Sequence, residues 1–264
     1  MKELLTEDSF NAEMEKLRCH CLFSQSKFDA IAERYQSELI REREYQDSAR
    51  KKGLNYTTDS YLRHMAEETY ESSLRYVDLL VRMTETFPIR HRENLKTALE
   101  NNHPQWRGKF DAILKTMGNG SIFILAGPRG VGKTELATAI SRYLAEVKNQ
   151  QSCYTVLGDL FTRIKGTFKS ESSESEDSIV SQLSSTPLLV LDECHEITGT
   201  DWQCRILTLL VDSRYRAKRD TILITNQSQA GFIASVGESI ADRIAEVGYF
   251  IECDWQSFRR AARL

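Results

Sequence analysis

At 264 residues, with 41% apolar and 28% charged side chains, the chain has enough apolar mass for a real core and fits one large domain or two small ones. The first half is close to neutral and the second carries the net charge of −3, which excludes a wholly basic domain and leaves nucleic-acid contact to a local basic stripe. No stretch approaches the roughly 18 apolar residues of a membrane span, and Met1–Asp8 is too acidic for a signal peptide, so cytoplasmic residence without a membrane partner is expected.

Glycine placement divides the chain: only Gly53 lies in the first hundred residues. Cys19-His20-Cys21 is a poor metal site, and the six cysteines at 19, 21, 153, 194, 204 and 253 show no C-x-x-C pair, so reduced thiols are expected. Ser26 to Lys52 predicts a charged helix with Phe28, Ile31, Tyr35 and Leu39 on one face and Gly53 as its stop. Thr58 to Thr86 predicts a second, carrying Ala66, Tyr70, Leu74, Val77 and Val81. Tyr35, Leu39, Tyr70 and Leu74 either pack between these helices or contact a partner. Pro88 ends the helical module, giving domains 1–86 and 87–264, and the polar stretch from Arg90 to Gly108 leads into the second part.

From residue 121 short apolar runs alternate with helical patterns: Ser121–Ala126, Cys153–Leu157, Pro187–Asp192, Thr221–Thr225 and Tyr249–Cys253. That alternation predicts an α/β fold, a parallel sheet covered on both faces by helices. Ser170 to Asp177 is an acidic low-complexity break, read as a solvated loop.

The segment Gly127-Pro128-Arg129-Gly130-Val131-Gly132-Lys133-Thr134 fits GxxxxGK[ST] without a mismatch and sits between a predicted strand and a helix carrying Leu136, Ala137, Ile140 and Leu144. Its glycines let successive N–H groups point at phosphate oxygens, Lys133 reaches the β- and γ-phosphates, and Thr134 offers its hydroxyl to Mg²⁺. The competing account is a glycine-rich turn that binds nothing. Roughly 60 residues on, Leu188–Leu191 ends in Asp192-Glu193; an acid at such a strand tip holds the Mg²⁺ shell and its neighbour can polarise a water for attack on the γ-phosphate.

One strand intervenes in sequence between the P-loop strand and the acid-tipped strand, and that order with the extra Glu resembles the AAA+ ATPases. The resemblance makes Asn226, after Thr221–Thr225, the sensor I residue that orients the water; the alternative is a turn-forming Asn. It likewise places an arginine finger, acting in trans on a neighbouring subunit's γ-phosphate, at Arg243 in Ile240-Ala241-Asp242-Arg243-Ile244; on charge pattern alone this is a surface arginine.

Together with Phe87-Pro88 and Asp254-Trp255-Gln256-Ser257-Phe258-Arg259, these motifs make the chain similar to the DnaC/IstB group of AAA+ proteins, closest to DnaC-type helicase loaders, from about Phe87 to Arg259. The resemblance implies a P-loop AAA+ sheet without a C-terminal lid domain, a sensor II-like Arg259, and ATP with Mg²⁺ as ligands. The partners it implies are a hexameric replicative helicase, single-stranded DNA, and further copies of the chain in an ATP-dependent spiral. The alternatives are an IstB-like ATPase assisting a transposase and a low-turnover, nucleotide-regulated scaffold. Two basic clusters are candidate DNA contacts: Arg214, Arg216, Lys218 and Arg219, which otherwise complement a helix C-terminus, and Arg163, Lys165 and Lys169.

Overall fold

The apolar runs form five parallel strands: β1 (Ile122–Ala126), β2 (Ser152–Val156), β3 (Leu188–Asp192), β4 (Asp220–Thr225) and β5 (Gly248–Glu252), in spatial order β2-β3-β4-β1-β5. Every residue of β1, β3 and β4 is buried, whereas the edge strands β2 and β5 are partly exposed. Burial on both faces is why the central three read as continuous apolar runs rather than alternating ones. This computed structural model describes residues 7–54, 59–100, 103–168, 173–197 and 200–258.

The chain divides into two units, Met1–Met83 and Thr84–Leu264. The first holds α1 (Glu7–Arg18), α2 (Gln25–Lys51) and α3 (Asp59–Met83). Phe28, Tyr35 and Leu39 of α2 and Ala66, Val77 and Leu80 of α3 are buried, and the Phe10 and Tyr35 rings lie 4.4 Å apart between centroids. Arg18 Nε donates to Asp29 Oδ1 at 2.8 Å, tying α1 to α2. Tyr35 and Leu39 are thus core residues, not surface contacts; Tyr70 is half-buried, and Leu74 is 44% exposed. Helix α1 was not expected from the sequence; its stripe is short, with Phe10 and Met14 as its buried residues.

The second unit holds helices where none was expected. The polar stretch Arg90–Gly108 is largely helical, with α4 (Ile89–Glu100) and α5 (Pro104–Thr116). Leu95, Trp106, Phe110 and Ile113 are buried, the last three at the spacing of a single helix face, and Pro104 sits at the first position of α5, where its missing N–H costs nothing. The acidic break ends in a helix start: Ser173–Ser175 are non-helical as expected, and Ser175 and Ser178 cap each other at the head of α8 (Glu176–Ser185), where Glu176 and Asp177 meet the positive end of the helix. Residues 169–172, including Lys169, lie outside the described residues.

The remaining α-helices are α6 (Lys133–Tyr143), which continues into a π-helical turn at Leu144–Lys148, α7 (Leu157–Gly166), α9 (Asp201–Arg216), α10 (Gln229–Val236) and α11 (Glu238–Val247), and a 3-10 turn at Cys194–Glu196 follows β3. Arg214, near the end of α9, is 1% exposed and therefore not a DNA contact. Its guanidinium donates to the carbonyls of Leu183 at 2.6 Å, Thr186 at 2.8 Å and Pro187 at 3.3 Å, to that of Asp220, and to Thr221 Oγ1 at 2.9 Å. Burial pulls its pKa down to about 10. Beside it, Asp220 accepts from the N–H groups of Gly118 at 2.7 Å, Gly120 at 3.1 Å and Ser121 at 2.9 Å. This charged cluster joins the starts of β1, β3 and β4, so the basic run loses its first member and keeps Arg216, Lys218 and Arg219, all exposed. Among the described residues no helix is long and apolar enough to cross a membrane.

Candidate nucleotide-binding site

At the opposite ends of the strands, the loop Gly127–Gly132 joins β1 to α6. Gly127 has φ 148°, and a Cβ there would stand 2.2 Å from the Cys253 carbonyl oxygen; at Gly132, with φ 81°, it would meet the Phe258 ring at 2.9 Å. Only glycine fits either position. No side chain caps α6, so its first turn faces the loop with N–H groups suited to an anion.

Lys133 is 7% exposed, and its ammonium donates to Gly127 O at 2.6 Å, Pro128 O at 2.8 Å and Asn226 Oδ1 at 2.8 Å. Burial holds its pKa below the ordinary lysine value, while the Asp192 and Glu193 carboxylates pull the other way. Because β4 lies between β1 and β3, its tip sets Asn226 between the P-loop lysine and the acidic strand. Thr134 Oγ1 donates to Asp192 Oδ2 at 2.8 Å, and the Glu193 N–H donates to Asp192 Oδ1 at 2.7 Å. Glu193 takes a left-handed backbone, φ 55°, and its half-exposed carboxylate lies 3.2 Å from His195 Nδ1. That same nitrogen lies 3.5 Å from Asn226 Nδ2.

These groups line a cavity of about 480 Å³. Of the residues predicted from sequence, Arg129, Gly130, Gly132, Lys133, Thr134, Asp192, Glu193 and Asn226 line it. Gly127, Pro128 and Val131 brace the loop instead: two carbonyls hold Lys133, and Val131 O accepts from Trp255 Nε1 at 2.8 Å. Arg243 lies away from it on α11, its Nε 3.2 Å from Asp212 Oδ1 and its guanidinium 4.8 Å from the Tyr215 ring centroid. Arg259 lies outside the described residues.

Several lining or supporting groups were not expected. Arg90, His91 and Asn94 of α4 reach the cavity, with His91 Nδ1 3.2 Å from Glu135 Oε2; so does Phe258, whose N–H donates to Gly130 O at 3.0 Å. Tyr154 on β2 donates its phenol to Asp192 Oδ2 at 2.9 Å; burial and the Asp192 charge push its pKa up, which keeps the hydroxyl a donor. His195 had a signal in the sequence, its position just past the strand-tip acids. Tyr154 and α4 had none, because only the folded sheet brings them to the site.

The donor set suits magnesium. Thr134 and Asp192 bring two hard oxygens together at the P-loop, and among the described residues no group of three or more His, Cys, Asp or Glu could hold a metal alone. A cation that keeps few protein ligands and binds largely through phosphates fits such a site.

A family model described as an AAA domain matches residues 119–251. The chain is 32% identical over 140 residues to the replicative helicase loader DnaC of Buchnera aphidicola subsp. Acyrthosiphon pisum (strain APS), covering 52% of this chain and 56% of that protein. It is 29% identical over 171 residues to the replicative helicase loader DnaC of Escherichia coli (strain K12), covering 61% of this chain and 69% of that protein. The chain thus spans a little over half the length of the first of these relatives. A crystal structure from Streptococcus pyogenes serotype M3, provisionally described as a primosome component, superposes with a TM-score of 0.51 at 17% identity, covering 65% of this chain and 94% of that one. That likeness bears on the fold alone.

Proposed function

The chain belongs to the AAA-domain family of nucleotide-binding ATPases, and on that premise we propose that it hydrolyses ATP to ADP and phosphate while delivering a hexameric replicative helicase to single-stranded DNA. The observation that carries this reading is the bonding of the P-loop to the tips of β4 and β3, Lys133 to Asn226 and Thr134 to Asp192. The two DnaC relatives support the loading role.

In this reading the N–H groups of the loop and of the first turn of α6 cradle the phosphates, and Lys133 turns its flexible ammonium toward the β- and γ-oxygens. Magnesium, held by Thr134 and Asp192, would neutralise charge on those oxygens. Glu193 takes a proton from the attacking water and Asn226 orients that water, so that one P–O bond forms at the γ-phosphorus as the bond to the β-phosphate oxygen breaks. His195, within reach of both Glu193 and Asn226, fixes their relative placement.

Arg243 serves a neighbouring subunit. Its contacts with Asp212 and Tyr215 keep it out of the cavity of its own chain, and from there it would supply charge to the next copy's triphosphate. A head-to-tail interface of that kind generates an open spiral when its rotation does not close. ATP is then the assembly ligand, and hydrolysis loosens the spiral. Residues 1–86 hold the helicase, Arg216, Lys218 and Arg219 contact DNA phosphates, Arg259 approaches the nucleotide, and the protein acts in the cytoplasm. The second basic cluster is weaker: Arg163 is committed to Glu174 and Gln182, and Lys165 sits 5.2 Å from the Trp202 ring centroid.

ATP turnover of the full chain tests the reading, together with capture of helicase on it. Glu193→Gln is expected to bind ATP normally and to lose roughly 100-fold or more in turnover. Deletion of residues 1–83, which leaves Thr86 in place, is expected to abolish helicase capture. A full chain that neither retains ATP nor changes oligomer size in its presence overturns the reading; capture of a transposase in place of a helicase overturns the loading role.

A further inference from the structure

Tyr154 lies in the middle of β2, at the edge of the sheet, with its Cα opposite Val190, two residues before Asp192 on β3. From there its hydroxyl reaches forward to Asp192 Oδ2 at 2.9 Å, the same oxygen that accepts from Thr134 Oγ1 at 2.8 Å. The other oxygen, Oδ1, takes the Glu193 N–H at 2.7 Å. A carboxylate held by donors on both oxygens has one orientation available to it. Thr134 belongs to α6 and Glu193 follows directly on β3, so Tyr154 is the donor that ties Asp192 to the neighbouring strand β2.

Tyr154 is itself held by the segment that follows α3. An edge strand presents main-chain groups with no strand to pair them, and here the Tyr154 N–H donates to Thr86 Oγ1 at 2.8 Å. Next to it, Phe87, 1% exposed, packs its ring 5.3 Å from the Tyr154 ring at an interplanar angle of 41°. Thr86 and Phe87 stand just inside the unit that begins at Thr84. A chain of direct contacts therefore runs from the start of this unit through Tyr154 to Asp192.

We propose that Tyr154 is a positioning residue for Asp192, and that Thr86 and Phe87 fix Tyr154, so that the first residues of the ATPase unit set the geometry of the carboxylate that holds magnesium. This rests on reading Thr134 and Asp192 as the magnesium-associated pair. Outer donors to a metal-associated carboxylate commonly contribute 10- to 100-fold to metal affinity.

The experiment is a magnesium titration of fluorescent ATP-analogue binding to the full chain, with a parallel measurement in EDTA and a thermal melt. Tyr154→Phe is expected to bind the analogue in EDTA within about twofold of the parent and to melt normally, yet to need roughly tenfold more magnesium for half-maximal effect. Thr86→Val and Phe87→Leu are expected to move the magnesium midpoint the same way by less. A Tyr154→Phe midpoint equal to that of the parent, in a series where Asp192→Asn shifts it, overturns the inference. If Tyr154→Phe does not fold, folded Thr86→Val decides, and an unshifted midpoint there overturns it. A parent chain that binds the analogue identically with and without magnesium removes the underlying reading, a failure visible before any variant is compared.

Discussion

The two ends of the central strands each bury a cation among main-chain carbonyls, to opposite purposes. At the strand starts, Arg214 spends its donors on the carbonyls of Leu183, Thr186, Pro187 and Asp220 and on Thr221, and Asp220 beside it is filled by three N–H groups. At the strand tips, Lys133 is held by two loop carbonyls and an amide, and its site opens onto a cavity of about 480 Å³. A planar, fully satisfied guanidinium makes a fixed joint. A compact ammonium on a flexible stem, next to space and to a helix N-terminus, can exchange its acceptors for a ligand's oxygens. Burial alone does not separate structural from functional charge; whether the bonded group adjoins open space does.

Substitution separates the two ends further. The largest expected effect is Arg214→Met, which strands several buried carbonyls and should cost about 3–5 kcal/mol in urea-unfolding measurements. Lys133→Ala should leave unfolding stability within about 1 kcal/mol, because a desolvated charge is removed along with its bonds, while analogue affinity falls roughly 100-fold by fluorescence titration. Equal destabilisation by the two variants would erase the contrast. Asp220→Ala should cost about 1–3 kcal/mol in the same unfolding assay, with nucleotide affinity unchanged. Smallest is Phe258→Ala, which removes a ring from the cavity wall and should weaken analogue binding by about two- to fivefold without a change in turnover per bound nucleotide.

How much of this was legible in the sequence follows from how local each signal is. All five strands lie within one residue of the predicted runs; in β1, β3 and β4 this is because burial on both faces writes itself as a near-continuous apolar run, whereas β2 and β5 are mixed runs at the sheet edges. The P-loop and the strand-tip acids were legible because each is a short contiguous string bound to one backbone geometry. Arg214 was misread because it stands in a run of basic residues whose other members are exposed, and a single buried turn within such a run leaves no trace in composition. Tyr154, Asn94 and Phe258 depend on sheet order and on the path of the tail, which bring together residues far apart in the chain. Ser175–Asp177 looked like solvated low complexity because helix-capping residues and loop residues are the same few types.

The segment after β5 is stitched along the phosphate loop, with Cys253 N–H on Ala126 O at 2.7 Å, Trp255 Nε1 on Val131 O at 2.8 Å and Phe258 N–H on Gly130 O at 3.0 Å. Trp255 is 5% exposed, so its indole is largely withdrawn from water and bonded to the loop. With Trp106 and Trp202 replaced by Phe, Trp255 would serve as an optical gauge of that loop: a rearrangement of Val131 on occupancy of the cavity is expected to change its intrinsic fluorescence, with no label attached.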